Sequence, residues 1–290
     1  MLKLGMLDLD TSHVVEFVKR MNHLGVPDDQ KVEGARIVAA CPGESKIMPE
    51  RIPGFVKTLK DELKVEIVEK PEALIGKIDG LLLEGNDGSS HLPRAKPFIE
   101  AGIPVWIDKP LTWSVKDAEE LANLAAKKKV PIFSASSLRY ATEVQALKAE
   151  IETIGAPVAV HTFGPQARKD NIPGWFFYGI HAVELLYALL GTGAGKIALT
   201  RGTKSETASA VWQNGAVGTA TLLCDGEKPF GFDYFGTKGS KQVRIDGTYS
   251  YRELCKAIVT FMQSRRAPVD IAETIETIRF IEATNSAGGL

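Results

Sequence analysis

Short apolar runs alternate with amphipathic helical patterns over roughly the first 135 residues, which is the rhythm of βαβ units. The predicted strands are Leu2–Leu7, Ala35–Cys41, Val65–Val68, Gly80–Glu84, Pro104–Ile107 and Pro131–Ser134. The clearest helix is Ser114–Lys128, where apolar residues recur about every 3.6 positions and Ser114 with Asp117 forms a capping box. Such a segment is expected to fold as a Rossmann-like, doubly wound parallel sheet covered on both faces.

After Ala135 the pattern changes, and several strands follow one another. The predicted elements here are the helices Thr142–Thr153, His181–Leu190, Tyr251–Ser264 and Ile271–Ser286, and the strands Val158–Phe163, Lys196–Thr203, Thr207–Gln213, Ala216–Cys224 and Phe232–Phe235. Asn214-Gly215 is a strong signal for a two-residue hairpin. The sequence therefore predicts a dinucleotide-binding domain over 1–136 and an α+β domain with a mostly antiparallel open sheet over 137–290.

Composition and charge exclude several classes of partner. Hydrophobic residues make up 44% of the chain and charged residues 24%, with a formal net charge of -1 and a pI near 6.5. These values show no excess of positive charge of the kind that binds nucleic acid or an anionic membrane. Three scattered cysteines suit a reducing compartment, and neither a signal peptide nor a membrane-spanning stretch is evident. We expect a cytoplasmic protein that binds a small molecule.

The turn after the first strand is where a dinucleotide-binding domain normally places glycines, so that the backbone can approach the pyrophosphate. Here it reads Asp8-Leu9-Asp10-Thr11-Ser12-His13, without glycine, and its two carboxylates would repel a phosphate unless they are paired or turned away. Asp8, Asp10, Thr11, Ser12 and His13 are candidate cofactor-binding residues. Alternatively, Asp10, Thr11 or Ser12 caps the following helix, and the two roles are compatible.

The second strand ends in Pro42-Gly43-Glu44-Ser45-Lys46, where a dinucleotide-binding domain often carries an acidic residue for the ribose. Glu44 suits ribose hydroxyls, as in NAD binding. Ser45 with Lys46 suits a 2′-phosphate, as in NADP binding. A solvated turn without a ligand is the third interpretation. The sequence leaves the choice between NAD and NADP open.

Several motifs recur in an order that is similar to the glucose–fructose oxidoreductase and inositol dehydrogenase family, the Gfo/Idh/MocA superfamily. They are Asp108-Lys109-Pro110 after Gly102–Trp106, the loop from Asn86 to His91, Ser137–Tyr140, Tyr178-Gly179-Ile180-His181 through Glu184, Asn214–Thr219 and Phe235–Ser240. In the family, a Glu-Lys-Pro motif supplies a lysine beside the nicotinamide and substrate, and Asp108-Lys109-Pro110 resembles it. The resemblance extends over nearly the whole chain and implies the same two-domain fold, with residues 137–290 used for substrate binding and oligomerisation.

The resemblance also implies roles for individual residues. Lys109, His181 and Tyr178 are its candidate catalytic residues, and Asn86, His91 and Lys109 join Ser45 and the first turn as candidate cofactor-binding residues. Arg139, Trp175, Tyr178 and His181 are candidate substrate residues. From position alone, Lys109 at the end of a parallel strand can polarise a carbonyl, although it could equally be an exposed loop lysine. His181 can act as an acid or base, although a histidine on an apolar helix is often a core residue.

One departure from the family pattern affects the chemistry. Where the family carries an aspartate four residues before the helix histidine, this chain has Phe177. That loss removes the partner expected to hold an imidazolium, which puts simple alcohol oxidation in question. The run Trp175-Phe176-Phe177-Tyr178 offers faces for stacking on a sugar ring, or packing between two domains.

The resulting hypothesis is an NAD(P)-dependent oxidoreductase that acts on a sugar, a cyclitol or a related polyol or keto compound. The alternative is a non-redox relative of the same fold. It would be either a ligand-binding or regulatory protein, or a keto-sugar lyase or hydratase that could use a metal. Nothing in the spacing of Asp8, Asp10, His13 and His181 is diagnostic of a metal site, so none is predicted. The family resemblance implies a homodimer or homotetramer.

Overall fold

The chain forms two compact units in the computed structural model, which describes residues 1–289. The first unit comprises Met1–Ala135 with Tyr251–Ile271, and the second comprises Ser136–Ser250 with the residues from Ala272 on. The first boundary lies one residue from the predicted one. The sequence pattern assigns Tyr251–Ile271 to the second domain, whereas the structure joins it to the first unit. Its helix contributes Phe261, whose ring lies 5.5 Å from that of Phe133 in the first sheet.

The predicted strands and helices are present, with ends that differ by one or two residues at most positions. The strands are β1 (Leu2–Leu7), β2 (Ala35–Cys41), β3 (Glu66–Ile67), β4 (Gly80–Leu83), β5 (Val105–Ile107), β6 (Ile132–Ser134), β7 (Pro157–Pro165), β8 (Ala198–Arg201), β9 (Ser205–Val211), β10 (Val217–Leu223), β11 (Gly231–Gly236) and β12 (Ser240–Arg244). The α-helices are α1 (His13–Met21), α2 (Ile52–Lys57), α3 (His91–Glu100), α4 (Val115–Lys128), α5 (Thr142–Ile154), α6 (Gly179–Leu190), α7 (Ser250–Ser264) and α8 (Ile271–Ala287).

The first unit is built on a parallel sheet with the strand order β3-β2-β1-β4-β5-β6. This is the doubly wound order, and it confirms the predicted Rossmann-like fold. All four residues of β4 are buried, as expected for a strand covered on both faces. The strand order reverses between β1 and β4, and ligands of such sheets bind outside the carboxyl ends of the strands at this point.

Two helices of this unit, α4 and α1, begin in different ways. In α4, the Ser114 hydroxyl accepts a hydrogen bond from the Asp117 N–H at 3.0 Å, which confirms the predicted cap. In α1, Ser12 occupies the cap position but makes no side-chain capping bond. Thr11 accepts only a long bond, at 3.4 Å, from the His13 N–H.

The second unit contains a mixed sheet with the order β12-β11-β7-β10-β9-β8, in which only β7 and β10 pair in parallel among the described strands. The mostly antiparallel sheet is thus confirmed. The predicted hairpin at Asn214-Gly215 joins β9 to β10, but the Trp212 N–H donates to the Ala216 carbonyl, so the loop spans 213–215. Helix α6 packs on this sheet, where the Thr162 hydroxyl donates to the Ala182 carbonyl at 2.9 Å. Strand β12 was absent from the predicted elements.

In the part of the chain that the structure describes, no helix combines the length and apolar character needed to cross a bilayer. The three cysteines, Cys41, Cys224 and Cys255, carry free thiols.

Candidate functional site

Asp8 occupies the turn after β1, at the point where the strand order reverses. Its backbone has φ +64, a conformation that glycine adopts readily and aspartate tolerates better than most residues. Asp8 is 3% exposed and its carboxylate fills the space beside Gly43, where a Cβ would lie 1.8 Å from Asp8 Oδ1. Gly85, after β4, borders it on the other side. The side chain thus lies where the backbone of a glycine-rich turn would leave room for a phosphate.

The environment of Asp8 favours the protonated acid. Burial raises the pKa of Asp8 to about 7, and the neighbouring charges of Asp10 and Asp87 act in the same direction. Arg94 opposes this shift, with its Nε 3.5 Å from Asp8 Oδ2. Arg94 lies on α3 and is missed by sequence reasoning, because only the tertiary fold brings α3 to this turn.

Asp10 is hydrogen-bonded rather than available to a ligand. Its Oδ1 accepts from the Asn86 backbone N–H and from Asn86 Nδ2, both at 2.9 Å, and its Oδ2 accepts from the Ser45 hydroxyl at 2.5 Å. Burial raises the pKa of Asp10, while these bonds oppose the shift. Three predicted cofactor-binding residues are therefore brought together, but they bind one another. Ser45 also accepts from the Met48 N–H at 2.9 Å, so its hydroxyl is committed to the loop after β2.

His91 is fully buried at the beginning of α3 and connects two loops. Its Nε2 lies 2.8 Å from the Gly85 carbonyl, and its Nδ1 lies 3.1 Å and 3.0 Å from the carbonyls of Pro110 and Leu111. These contacts tie the loop after β4 to the loop that follows Lys109. His91 therefore supports the predicted site, while Ser12 is the exposed residue of the first turn.

A cavity of about 380 Å³ lies at the carboxyl ends of β2 and β3, lined by Pro42, Gly43, Val68, Glu69 and Arg94 among others. This is the side of a doubly wound sheet on which the adenosine half of a dinucleotide is bound. The residues present fit that half. They fit the pyrophosphate only when Asp8 is protonated, since an ionised carboxylate and a phosphate repel each other in a buried site.

Lys109 follows β5 and is 9% exposed. Its backbone N–H donates to Asp108 Oδ1 at 2.7 Å, and Asp108 Oδ2 lies 2.8 Å from His13 Nδ1. Glu84, directly after β4, is fully buried, and the ligand atoms of His13, Glu84 and Asp108 all lie within 4.8 Å of one another. Sequence reasoning missed Glu84 and Asp108 as site residues, although each directly follows a buried strand and adjacent parallel strands end at one edge.

The pKa values of the two carboxyl groups near Lys109 are shifted in opposite directions. Burial raises the pKa of Glu84 well above its usual value, and the charge of Asp108 adds to this, while Lys109 opposes it. Burial also disfavours the charged form of Asp108, but the charges of His13 and Lys109 outweigh it and hold the pKa of Asp108 below its usual value. The pKa values of the two carboxyl groups beside the predicted catalytic lysine are thus shifted in opposite directions.

In the second unit, His181 and Tyr178 lie together at the beginning of α6. The Ser136 hydroxyl lies 2.7 Å from His181 Nδ1, and the rings of Tyr178 and His181 are 5.6 Å apart in an edge-to-face arrangement. Phe230, which sequence reasoning missed, packs against both rings at 6.4 Å and 5.6 Å. Ser136 therefore orients the imidazole of His181. The resemblance assigns that task to an aspartate at position 177, where this chain has Phe177.

Arg139 and Trp175, the other predicted substrate residues, are engaged inside the second unit. Arg139 Nε lies 3.1 Å from Glu184 Oε1, and its Nη2 lies 2.5 Å from Glu273 Oε1. Trp175 is 0% exposed and donates its indole N–H to Glu206 Oε2 at 3.0 Å. With no exposed face, Trp175 has a packing role here. The guanidinium of Arg139 is likewise occupied by two carboxylates.

Comparison with known proteins agrees with this architecture. Residues 47–136 match the family GFO_IDH_MocA, described as "Oxidoreductase family, NAD-binding Rossmann fold". A segment of 90 residues is 29% identical to the putative oxidoreductase YceM of Salmonella typhimurium, and one of 118 residues is 28% identical to YMR315W of Saccharomyces cerevisiae. These matches cover 31% and 36% of this chain, and 29% and 34% of the two relatives. The chain thus spans about a third of the curated relatives that it matches.

Solved structures are similar over nearly the whole chain. The structure of scyllo-inositol dehydrogenase from Lactobacillus casei with bound NAD(H) and scyllo-inositol has a TM-score of 0.79 and 13% sequence identity. The similarity covers 99% of this chain and 96% of that one. At this level of identity, the likeness establishes a shared fold.

Proposed function

We propose that this chain is an NAD(P)-dependent oxidoreductase, because residues 47–136 match the oxidoreductase family with an NAD-binding Rossmann fold and nearly the whole chain shares the fold of a solved scyllo-inositol dehydrogenase. Its substrate is a sugar, a cyclitol or a related polyol or keto compound. Scyllo-inositol, which a solved structure of the same fold binds together with NAD(H), is a member of this substrate class. When bound, the dinucleotide would accept or donate a hydride. Side chains of the protein would bind the substrate and transfer the proton.

The arrangement around Lys109 is the observation that carries the proposal. A lysine at the carboxyl end of β5 lies at the ligand-binding edge of the sheet, and its ammonium group can donate a proton or hydrogen bond to a substrate oxygen. Asp108 accepts its backbone N–H at 2.7 Å, which fixes the peptide on which the side chain is mounted.

His181 is the proposed proton-transfer residue, with Tyr178 as a second donor. The 2.7 Å contact between Ser136 Oγ and His181 Nδ1 orients the ring, and an imidazole can exchange a proton near neutral pH. Phe230 packs against both rings and limits their movement. Ser136 would thus take the orienting role that the resemblance gives to an aspartate at the position of Phe177.

Dinucleotide binding would use the cavity at the ends of β2 and β3 and the Arg94 guanidinium. Arg94 lines this cavity while its Nε lies 3.5 Å from Asp8 Oδ2, so it can contact a phosphate once Asp8 is neutral. The residues that line the same cavity would determine whether the protein binds NAD or NADP. The Ser45 hydroxyl is already bonded to Asp10, which disfavours a 2′-phosphate contact from this residue.

The first test is calorimetric titration of the whole chain with NAD⁺, NADH, NADP⁺ and NADPH at pH 6 and pH 8. We expect one pair to bind with micromolar affinity. A dinucleotide that binds justifies a screen of sugars and cyclitols, followed by absorbance at the nicotinamide band. Lys109→Ala should then lose about 10²–10⁴-fold in turnover, while Lys116→Ala, an exposed lysine of α4, should keep it. Full activity of Lys109→Ala would contradict the assigned role.

One observation favours a second candidate, a non-redox relative of the same fold. The side chains of Asp8 and Asp10 are buried in the turn at which the pyrophosphate would bind. Failure of all four dinucleotides to bind, both to the wild type and to Asp8→Asn, would contradict the redox proposal. It would favour a ligand-binding or regulatory protein, or a keto-sugar lyase or hydratase.

Two further proposals concern the protein in the cell. Assembly as a homodimer or homotetramer, implied by the family resemblance, is tested by sedimentation velocity. Cytoplasmic location, proposed from the three scattered free cysteines, is tested by cell fractionation.

A further inference from the structure

We propose that His13, Glu84 and Asp108 form a binding site for a divalent transition-metal ion of the Zn²⁺ type, directly beside Lys109. The three residues come from the beginning of α1 and the ends of β4 and β5, and all three are buried. Their ligand atoms all lie within 4.8 Å of one another. The proposal does not rest on the proposed function, because metal binding by these three side chains needs neither a dinucleotide nor a substrate.

Glu84 is the feature that points to a ligand. Its side chain is 0% exposed, and neither carboxylate oxygen has a hydrogen-bond partner among the described residues. A buried carboxyl group without a partner is costly, and proteins relieve that cost by pairing it or by coordinating a metal. Both His13 and Asp108 present an atom to the same small volume. A cation at this place would give Glu84 the partner that the protein does not supply.

The donor set identifies the class of cation. One imidazole nitrogen and two carboxylate oxygens suit Zn²⁺ and similar ions, whereas Mg²⁺ and Ca²⁺ prefer an all-oxygen shell. With bonds of about 2.0–2.2 Å, tetrahedral ligand atoms are separated by roughly 3.4 Å. The 2.8 Å pair of His13 Nδ1 and Asp108 Oδ2 would open slightly, and Glu84 would move inward. Three protein ligands leave a fourth position for water or a substrate oxygen.

The ligands are held in place by their surroundings. The His13 ring stacks on Phe17 with centroids 5.3 Å apart and meets the edge of Tyr251 at 5.1 Å. Asp108 accepts the Lys109 backbone N–H through Oδ1, which directs Oδ2 toward His13. Such outer contacts orient metal ligands in known sites. The ammonium of Lys109 weakens the attraction for a cation, but Glu84 and Asp108 offer two carboxyl groups against this single positive charge.

The experiment is calorimetric titration of the EDTA-treated full chain with ZnCl₂, supported by the visible spectrum after addition of CoCl₂. We expect one Zn²⁺ per chain, the intense visible bands of four-coordinate Co²⁺, and negligible binding of Mg²⁺. Glu84→Gln keeps the shape of the side chain and should weaken Zn²⁺ binding by at least about 100-fold. Glu100→Gln, an exposed residue at the end of α3, should bind as the wild type does.

Two results would overturn the proposal. The first is an absence of saturable Zn²⁺ binding to the wild type up to millimolar concentration, which would leave Glu84 as a buried carboxylic acid. The second is equal affinity of the wild type and Glu84→Gln, which would place the ion on other groups. Circular dichroism of each variant, together with His13→Gln as a second ligand variant, separates loss of the site from loss of the fold. Neither result depends on turnover.

Discussion

Replacing Asp8 by asparagine should stabilise the protein by an amount that grows with pH. Burial is the main reason that the pKa of Asp8 rises from 3.8 to about 7 in the folded state. Between these two values the folded protein holds a proton that the unfolded chain has released. The free energy of unfolding therefore falls as pH rises through this window, and it levels off above the folded pKa. Asparagine does not titrate in this range, so the free energy of unfolding of the variant does not fall for this reason.

The structure sets the size of the effect. The interval from 3.8 to about 7 corresponds to roughly 4 kcal/mol at about 1.4 kcal/mol for each pH unit. Part of this loss has already occurred at pH 5, so the advantage of Asp8→Asn should widen by about 2–3 kcal/mol between pH 5 and pH 8. The substitution suits the site, because asparagine has nearly the same shape and tolerates the positive φ of this position.

The assay is urea unfolding of the wild type and Asp8→Asn at pH 5, 6, 7 and 8, followed by circular dichroism. Groups that titrate in both proteins cancel in the difference between their free energies of unfolding. Asp61→Asn, at an exposed position, is the control and should show a difference that does not change with pH. A constant difference between Asp8→Asn and the wild type across this range would refute the inference that burial raises the pKa of Asp8.

Three further predictions test the cofactor turn and the second unit. Asp8→Asn should bind a dinucleotide more tightly than the wild type at pH 8 and equally at pH 5, because only the ionised carboxylate repels phosphate; calorimetry showing the same ratio at both values would contradict this. Arg139→Met should lower the free energy of unfolding by about 3–5 kcal/mol, since Glu184 and Glu273 lose their shared cation; a loss below about 1 kcal/mol in urea would be inconsistent with a buried ion pair. Trp175→Phe should cost about 1–3 kcal/mol in the same assay, because a buried carboxylate loses the indole donor at 3.0 Å, and an unchanged midpoint would argue against that bond.

Local pattern was sufficient for most of the fold. Alternating apolar and helical segments predicted the strands of the first sheet, and Ser114 with Asp117 predicted the beginning of α4, because such signals depend on neighbours in sequence. Strand β12 escaped prediction because its residues Ser240–Arg244 are mostly polar and carry little hydrophobic signal. The sequence also did not predict that Tyr251–Ile271 belongs to the first unit, because a helical pattern does not indicate which sheet the helix packs on.

The candidate site was only partly accessible from sequence. Lys109 and the unusual turn of Asp8 and Asp10 were identified from motif position alone. What they touch was decided by strand order, because β1 and β4 are neighbours in the sheet although they are distant in the chain. That pairing brings Asn86 to Asp10, 76 positions away, and helps to place Glu84 near His13. The sequence determines which side chains follow each strand. The charge of those side chains depends on their burial and on their neighbours, and both are determined only by the tertiary structure.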